Sequence, residues 1–345
     1  MDLSKFPRRK LAFLPTPLVE LPRLAAAMAG ARGSPRLFMK RDDQTGLATG
    51  GNKARKLEFL VGDAIARGGD ALITGGAAQS NHCRQTAAAA AACGIDCHLV
   101  LGGEAPLRPE GNLLLDILLG ASVHWSGPRR KGEDMPRVAE ELRSAGRSPY
   151  VIPYGGSCAI GALGFADAAR ELGDQLAAAG IAPSRIVFAS SSGGTQSGLM
   201  VGSRLFGLQG SGGRPPEICG ICIDKAPIDF ARKGIDFADR VLALANETAE
   251  LAGLRPRFDA GDVVLRREFT GGGYGVVGEL ERRAIALAAG TEGILLDPVY
   301  TGRAMGALLS LVESGEIGKG ETIVFWHTGG TPALFAHAEE LLPRG

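Results

Sequence analysis

The chain has 345 residues, and at about 150 residues per domain this length predicts two domains or one large one. Hydrophobic residues make up 45% and charged residues 22% of it, a balance that excludes an intrinsically disordered protein. The formal net charge is +1, so no excess of positive charge attracts nucleic acid or an anionic membrane.

Short apolar runs alternate with amphipathic helical stretches along the whole chain. The helical stretches carry apolar residues at i, i+3, i+4 and i+7. Nearly continuous apolar strands alternating with helices predict the α/β class, with open, mostly parallel sheets flanked by helices. The predicted strands are 36–42, 71–75, 97–102, 122–127, 150–155, 185–190, 217–223, 263–269, 294–299 and 322–327, and the clearest helices are 57–68, 84–94, 112–120, 166–180, 277–290 and 302–315.

The sequence contains no signal for membrane insertion or secretion. No apolar run reaches the roughly 18 residues of a membrane span, and the opening MDLSKFPRRKLAFLP lacks the apolar centre of a signal peptide. Six cysteines are too few for a disulfide framework, and Cys219 and Cys222 are predicted to be buried thiols of one strand. The histidines show no metal-binding spacing. We therefore expect a cytoplasmic protein without a metal site or a membrane partner.

Of the 51 glycines, 14 lie in five clusters, most of which follow predicted strands. Ligands of open α/β sheets bind outside the carboxyl ends of the strands, so these clusters predict backbone brought close to a ligand. The clusters are TGLATGG (45–51), TGGAA (74–78), SSSGGTQSG (190–198), TGGGYG (270–275) and HTGGT (327–331).

The cluster SSSGGTQSG has the composition of a phosphate-binding loop. It follows a strand and opens a helix near Gln196, so backbone N–H groups and the positive end of the helix dipole would face an anion. It lacks the patterns of nucleotide P-loops and of dinucleotide folds, which favours a phosphate on another small molecule. The alternative is a Gly-rich turn that only leads the chain into a helix.

Single polar residues near the other clusters each have a structural alternative. Lys53 begins a predicted helix, with Arg55 and Lys56 close by. These cations disfavour a charged Lys53 ammonium, which would help its amine to act as a nucleophile or base. The alternative is a basic helix start exposed to solvent. Ser80 and Thr328 are candidates for polar site residues or for helix caps. Tyr274 lies beside glycine and is a candidate for a ligand contact or a half-buried anchor.

Taken together, the motifs resemble one enzyme family. GGNKARKLEFL, GAAQSNHCRQTAAAAA, SSSGGTQSGL, GGGYG, DPVYTGRA and WHTGGTPALF occur in the order found in pyridoxal-phosphate enzymes of the tryptophan-synthase-β-like fold, fold type II. Within this fold the chain resembles the branch that contains D-cysteine desulfhydrase, L-cysteate sulfo-lyase and 1-aminocyclopropane-1-carboxylate (ACC) deaminase. The resemblance extends from about residue 6 to residue 340.

The resemblance implies pyridoxal 5'-phosphate (PLP) as cofactor and a role for each matching residue. Lys53 matches the lysine that forms the Schiff base and moves the α-proton. The other implied contacts are Lys56, Ser191, Ser192, Gly193, Gly194 and Thr195 at the phosphate, Asn81 at the ring hydroxyl and at the substrate, Thr328 at the pyridine nitrogen, Ser80 meeting the substrate carboxylate or acting on it, and Tyr274 and Tyr300 beside the substrate. A sulfonate on the substrate would need extra donors, and Gln79, Ser157 and Thr301 are the candidates that the sequence offers for them.

The same resemblance implies β-elimination from a small sulfur-containing amino acid. ACC deaminases of this branch carry Glu and Leu where this chain has Thr301 and Thr328, which favours elimination over opening of a cyclopropane ring. A neutral hydroxyl does not hold the pyridine nitrogen protonated, so the ring is a weaker electron sink. β-Elimination tolerates a weaker sink, because the leaving group takes the electrons quickly. D-cysteine desulfhydrase is the favoured function, and L-cysteate sulfo-lyase and then ACC deaminase are the alternatives. A non-enzymatic sensor of a phosphorylated metabolite would not need Lys53.

The resemblance also implies how the chain is divided. A small domain of residues 52–165 is inserted into a large cofactor-binding domain of residues 1–51 plus 166–345, with PLP in the cleft between them. Members of the branch are homodimers, and the expected partner is a small amino-acid substrate.

Overall fold

The structure is a computed structural model, and it describes residues 2–29, 33–129, 131–224, 235–255 and 257–342. These residues form ten strands and twelve helices. The strands are β1 Leu18–Glu20, β2 Arg36–Arg41, β3 Ala71–Ala77, β4 Asp96–Gly102, β5 Ser122–Trp125, β6 Pro149–Val151, β7 Arg185–Ser190, β8 Glu217–Cys222, β9 Val264–Arg266 and β10 Thr322–His327. The helices are α1 Pro22–Ala29, α2 Lys53–Ala66, α3 Asn81–Cys93, α4 Gly111–Leu118, α5 Met135–Ser144, α6 Ala159–Ala179, α7 Gly194–Leu205, α8 Phe237–Ala252, α9 Glu279–Glu292, α10 Thr301–Ser314, α11 Ala333–Ala336 and α12 Ala338–Leu341.

Two sheets organise the fold. One has six strands in the order β1-β2-β10-β7-β8-β9, and the other has four in the order β5-β4-β3-β6. Every pairing is parallel except that of β1 with β2. The α/β class with mostly parallel sheets flanked by helices is therefore confirmed.

The central strands are buried on both faces. Along β10, Val324 and Trp326 pack into one hydrophobic cluster, whereas Ile323 and Phe325 pack into another on the opposite face. Successive side chains of a strand point to opposite faces, so helices must cover both sides of this sheet. This burial explains the continuous apolar run TIVFWH.

One predicted strand is wrong. Residues 294–299 are apolar and mostly buried, but they form no strand, and a turn follows them. The Asp297 carboxylate accepts hydrogen bonds from the backbone N–H groups of Val299 and Tyr300, and Pro298 has no N–H to give a strand ladder. The short antiparallel β1 was not predicted. The strands predicted at 150–155 and 263–269 end earlier or are shorter than expected.

The predicted strand around Cys219 and Cys222 is confirmed as β8. Both thiols are buried and free, and burial raises the pKa of Cys222 to about 11. In the described residues no helix is both long and apolar enough to cross a membrane.

Candidate active site

A pocket lies where the carboxyl ends of β7 and β10 meet the first turns of α2, α3 and α7. It brings together residues that are distant in sequence, including most of the predicted cofactor contacts. The lining residues are Asn52, Lys53, Asn81, Ala189, Ser190, Ser191, Ser192, Gly193, Thr195, Tyr300 and Thr328.

The loop before α7 forms a cradle for an anion. Gly193 has φ +87°, a conformation that glycine adopts without strain, and α7 begins at the next residue. A Cβ on Gly194 would lie 2.7 Å from Ser157 Oγ and 2.8 Å from Lys56 Nζ, so glycine allows these two side chains to pack closely against the loop. The Ser191 hydroxyl is buried and has no hydrogen-bond partner among the described residues. An acceptor at the helix N-terminus would satisfy it.

Lys56 and Ser157 pack against the loop that forms this cradle. Lys56 is buried, and its Nζ donates to Gly155 O at 3.2 Å and to Ser157 Oγ at 3.3 Å. Burial and the neighbouring Lys53 lower the pKa of Lys56 well below its usual value. Ser157 Oγ donates to Ser192 Oγ at 2.7 Å. Ser157 thus contacts both Lys56 and the loop before α7, and its candidate role as a donor to a substrate stays a prediction.

Lys53 extends into the pocket from the first residue of α2. Its Nζ donates to Asn52 Oδ1 at 2.9 Å. Burial lowers the pKa of Lys53 to about 8, Asp297 opposes this shift, and Arg84 adds to it. The sequence had attributed a neutral amine in part to Arg55, but that guanidinium turns away to Asp42 and a glutamate of α6.

The loop of residues 79–81 lies at the carboxyl end of β3. Ser80 Oγ accepts from Cys83 N at 3.2 Å, so Ser80 does cap α3, and its hydroxyl also interacts with the Cys83 thiol. Asn81 Oδ1 accepts from Asn112 Nδ2 at 2.9 Å, which leaves the Asn81 NH₂ group as donor for another partner. Gln79 is bound to the start of α4, because its Oε1 accepts from Asn112 N at 2.9 Å and its Nε2 donates to Glu110 O at 3.0 Å.

Thr328 follows β10 directly and lines the pocket. Its carbonyl accepts from Asn52 N at 3.0 Å, which fixes the backbone beside Lys53. It does not cap a helix, since the cap position of α11 is Pro332.

Two tyrosine side chains meet at one side of the pocket. Tyr274 Oη and Tyr300 Oη are 2.8 Å apart, and the rings meet edge to face with centroids 5.9 Å apart. Burial, with Tyr274 as a further cause, raises the pKa of Tyr300 well above its usual value. Tyr300 therefore stays protonated and keeps a proton to donate.

Asp297 holds the turn that carries Tyr300. Its carboxylate accepts from Tyr300 N at 2.9 Å and from the Thr301 hydroxyl at 2.7 Å. Thr301 is buried and its hydroxyl is engaged there, so it acts on the pocket through Asp297 and not by lining it. The sequence reasoning missed Asp297, because the motif that contains it had been assigned to a strand.

Arg303, another residue that the sequence reasoning missed, holds the loop that carries Tyr274. This buried guanidinium donates from Nη1 to Gly273 O at 2.9 Å and from Nη2 to Val276 O at 2.8 Å, and Nε pairs with Glu281 at 2.6 Å. A charged residue in the first turn of the otherwise apolar α10 was the available signal, since such a charge is buried only when it is paired.

Comparison with known proteins identifies the family. Residues 10–329 match the family model described as pyridoxal-phosphate dependent enzyme. Over 99% of each chain, the protein is 40% identical to D-cysteine desulfhydrase of Klebsiella pneumoniae (strain 342). The chain belongs to the pyridoxal-phosphate dependent enzyme family. The family resemblance and PLP as cofactor are thereby confirmed.

Other relatives of this PLP-dependent enzyme carry a different name. The protein is 39% identical to 1-aminocyclopropane-1-carboxylate deaminase of Burkholderia vietnamiensis (strain G4 / LMG 22486), with 98% of each chain covered. A crystal structure described as an ACC deaminase homologue superposes with a TM-score of 0.85 at 37% identity, covering 98% of this chain and 96% of the other. These likenesses span the whole enzyme.

The pocket of this PLP-dependent enzyme fits its cofactor. The Ser191 hydroxyl without a partner among the described residues, the close approach of Lys56 to Gly194 and the first turn of α7 suit a phosphate group. A lysine with a pKa near 8 suits attack on an aldehyde, because a usable fraction of it is neutral near neutral pH.

Proposed function

We propose that this PLP-dependent enzyme is a D-cysteine desulfhydrase, which converts D-cysteine and water to pyruvate, ammonia and hydrogen sulfide. The observation that carries the proposal is Thr328 on the pocket wall, where its hydroxyl replaces the leucine expected of an ACC deaminase. The full-length identity of 40% to a D-cysteine desulfhydrase supports the same choice.

In this proposal, separate residues bind the phosphate, the ring and the aldehyde of PLP. Lys53 holds PLP covalently. Asn81 donates to the ring hydroxyl, and Thr328 faces the pyridine nitrogen. The phosphate is held by Ser191, Ser192, Gly193, Gly194 and Thr195, with Lys56 beside them.

The chain's own residues then handle the substrate. When bound, PLP supplies the electron sink that allows the α-proton to leave. Lys53 Nζ takes that proton, since its lowered pKa lets a neutral amine form. The Ser80 hydroxyl donates to the substrate carboxylate. The paired tyrosines Tyr274 and Tyr300 offer a proton beside the departing sulfur.

A panel of substrates tests the proposal. The purified enzyme is incubated with D-cysteine, L-cysteine, L-cysteate and ACC, and sulfide, sulfite, pyruvate and 2-oxobutyrate are measured. Sulfide and pyruvate in equal amounts from D-cysteine, absent with Lys53→Ala, are expected. Sulfite from L-cysteate as the faster reaction would establish the sulfo-lyase instead. No product from any substrate would favour the phosphometabolite sensor.

ACC deaminase is the second candidate, because both a full-length relative and the superposed structure carry that name. It requires 2-oxobutyrate and ammonia from ACC in the same panel. Formation of 2-oxobutyrate at a higher kcat/KM than that for D-cysteine would overturn our choice. It would also show that Thr301 and Thr328 are compatible with ring opening.

We further propose a cytoplasmic homodimer with the domain division 1–51 plus 166–345 and 52–165. Six free thiols support a reducing compartment. The four-stranded sheet, with strands between residues 71 and 151, supports a separate small domain, although α6 runs unbroken through residues 165 and 166. Light scattering during size-exclusion chromatography gives the mass, and about 71 kDa is expected for a dimer of two 35.7-kDa chains.

A further inference from the structure

A buried arginine outside the predicted site clamps the turn that leads to Lys53. Arg84, on α3, donates to the carbonyls of Ala48 and Gly50 and to the Thr49 hydroxyl. Ala48 and Thr49 have φ of 41° and 69°, which is costly for residues other than glycine. Strain of this kind persists only where surrounding contacts hold it, and Arg84 supplies three of them.

The same arginine is joined to the loop of residues 79–81. Arg84 Nε donates to Asn112 Oδ1 at 2.7 Å. The amide nitrogen of Asn112 donates at 2.9 Å both to Gln79 O and to Asn81 Oδ1. Asn112 is fully buried at the start of α4, so these contacts exclude water. One continuous set of hydrogen bonds therefore runs from the Lys53 turn to the Asn81 amide.

The partners of Arg84 argue against a purely stabilising role. Two other buried arginines pair with carboxylates, Arg55 with Asp42 and Arg303 with Glu281. Each hydrogen bond of Arg84 among the described residues goes instead to a carbonyl, a hydroxyl or an amide. The nearby Asp116 carboxyl accepts no hydrogen bond there. Contacts to neutral acceptors fix positions, whereas the nearby carboxyls of Asp116 and Asp297 act on Arg84 only through their charge.

We propose that Arg84 and Asn112 are positioning residues, which hold the turn before Lys53 in register with the loop that carries Ser80 and Asn81. The inference rests on the proposed roles of Lys53 and Asn81. Asn112 orients the Asn81 amide with its NH₂ group toward the cofactor. Arg84 fixes the distance between the two segments, which follow strands of different sheets, β2 and β3.

Two conservative variants test this inference. Arg84→Lys keeps the charge and loses the planar fork, and Asn112→Asp keeps the acceptor for Arg84 and loses both amide donors. Asn246→Asp is the matched control, because Asn246 Nδ2 likewise donates to a backbone carbonyl, that of Phe258. The measurements are the visible absorbance of the bound cofactor, the PLP dissociation constant, kcat and KM.

For both variants we expect a shifted absorbance band and a fall in kcat of about ten- to hundredfold, since misplacement by about 1 Å has such effects. The control should match the wild type. In an Asn81→Ala background, Asn112→Asp should add little, because the two residues act through one contact.

Wild-type absorbance, PLP affinity and kcat in both folded variants would overturn the inference. If Arg84→Lys does not fold, Asn112→Asp decides alone, since its new carboxylate still pairs with Arg84. The absorbance needs no substrate, so this test gives a result even if the enzyme does not act on D-cysteine.

Discussion

Tyr274 Oη lies 2.8 Å from Tyr300 Oη although 26 residues separate them in sequence. One hydroxyl donates to the other, so the two side chains hold each other in place. Because the pKa of Tyr300 is raised well above its usual value, the Tyr300 hydroxyl remains neutral at physiological pH.

Removing either hydroxyl of the pair should slow turnover. Tyr300→Phe and Tyr274→Phe are each expected to lower kcat by about a hundredfold, the lower range for a lost proton donor. Tyr150→Phe is the control, because its hydroxyl contacts Asp63 on α2 and not the pocket. Steady-state kinetics with D-cysteine measures the effect. Equal kcat in the wild type and both pocket variants would show that the tyrosines take no part in turnover.

The lowered pKa of Lys53 should be visible in cofactor uptake. The groups that act on Lys53 or feel its charge are Asp297, Arg84, Lys56 and His82. With a pKa lowered from 10.5 to about 8, the neutral amine grows as pH rises through 8. The rate at which apoenzyme takes up PLP should therefore fall about tenfold per pH unit below that midpoint.

Stopped-flow absorbance measures this uptake from about pH 6 to about pH 9.5, an interval that spans the Lys53 pKa of about 8. The bond formed should be fixed by borohydride in the wild type and absent in Lys53→Ala. A midpoint at the ordinary lysine value would contradict the lowered pKa.

A methyl group at position 194 should close the phosphate cradle. The Cβ of Gly194→Ala would lie 2.7 Å from Ser157 Oγ and 2.8 Å from Lys56 Nζ. We expect the PLP dissociation constant to rise at least about tenfold, the equivalent of one lost hydrogen bond to a charged group. Gly290→Ala, a helical position with open space around its Cβ, is the matched control. Unchanged affinity in Gly194→Ala would place the phosphate elsewhere.

A buried ion-pair network should govern stability in acid. Arg55 and Lys40 lower the pKa of Glu171 from 4.5 to about 2, against the effect of burial. A lowered folded-state pKa gives stability that is present above pH 4.5 and lost as pH falls toward 2. Glu171→Gln should therefore reduce the free energy of unfolding by about 3 kcal/mol at pH 7.

Urea unfolding at pH 7 and at lower pH values measures this difference. The gap between Glu171→Gln and the wild type should shrink as pH falls below 4.5. The exposed Asp174→Asn is the control, and its effect should be small. A gap that does not change with pH would show that the Glu171 charge is not its source.

Local patterns predicted most elements of the fold, and long-range polar contacts were beyond their reach. The strand-to-helix order and the SSSGGTQSG loop follow from periodicity and glycine content, which act over a few residues. Asp297 sits in an apolar run and was assigned to a strand, although its carboxylate caps the next turn. The partners of Arg84 and Asn112 lie about 30 residues or more away, and periodicity gives no information on them.

The helix α10 carries Tyr300 at its start, and through Arg303 it also anchors the loop of Tyr274. The two tyrosines are thus both held by α10, whereas Ser80 and Asn81 follow β3 of the four-stranded sheet. If the two sheets move relative to each other, Tyr274 and Tyr300 move together as one unit, and the loop of residues 79–81 moves as another. The grip on a substrate can then tighten or relax while the proton shared by the tyrosines stays in place.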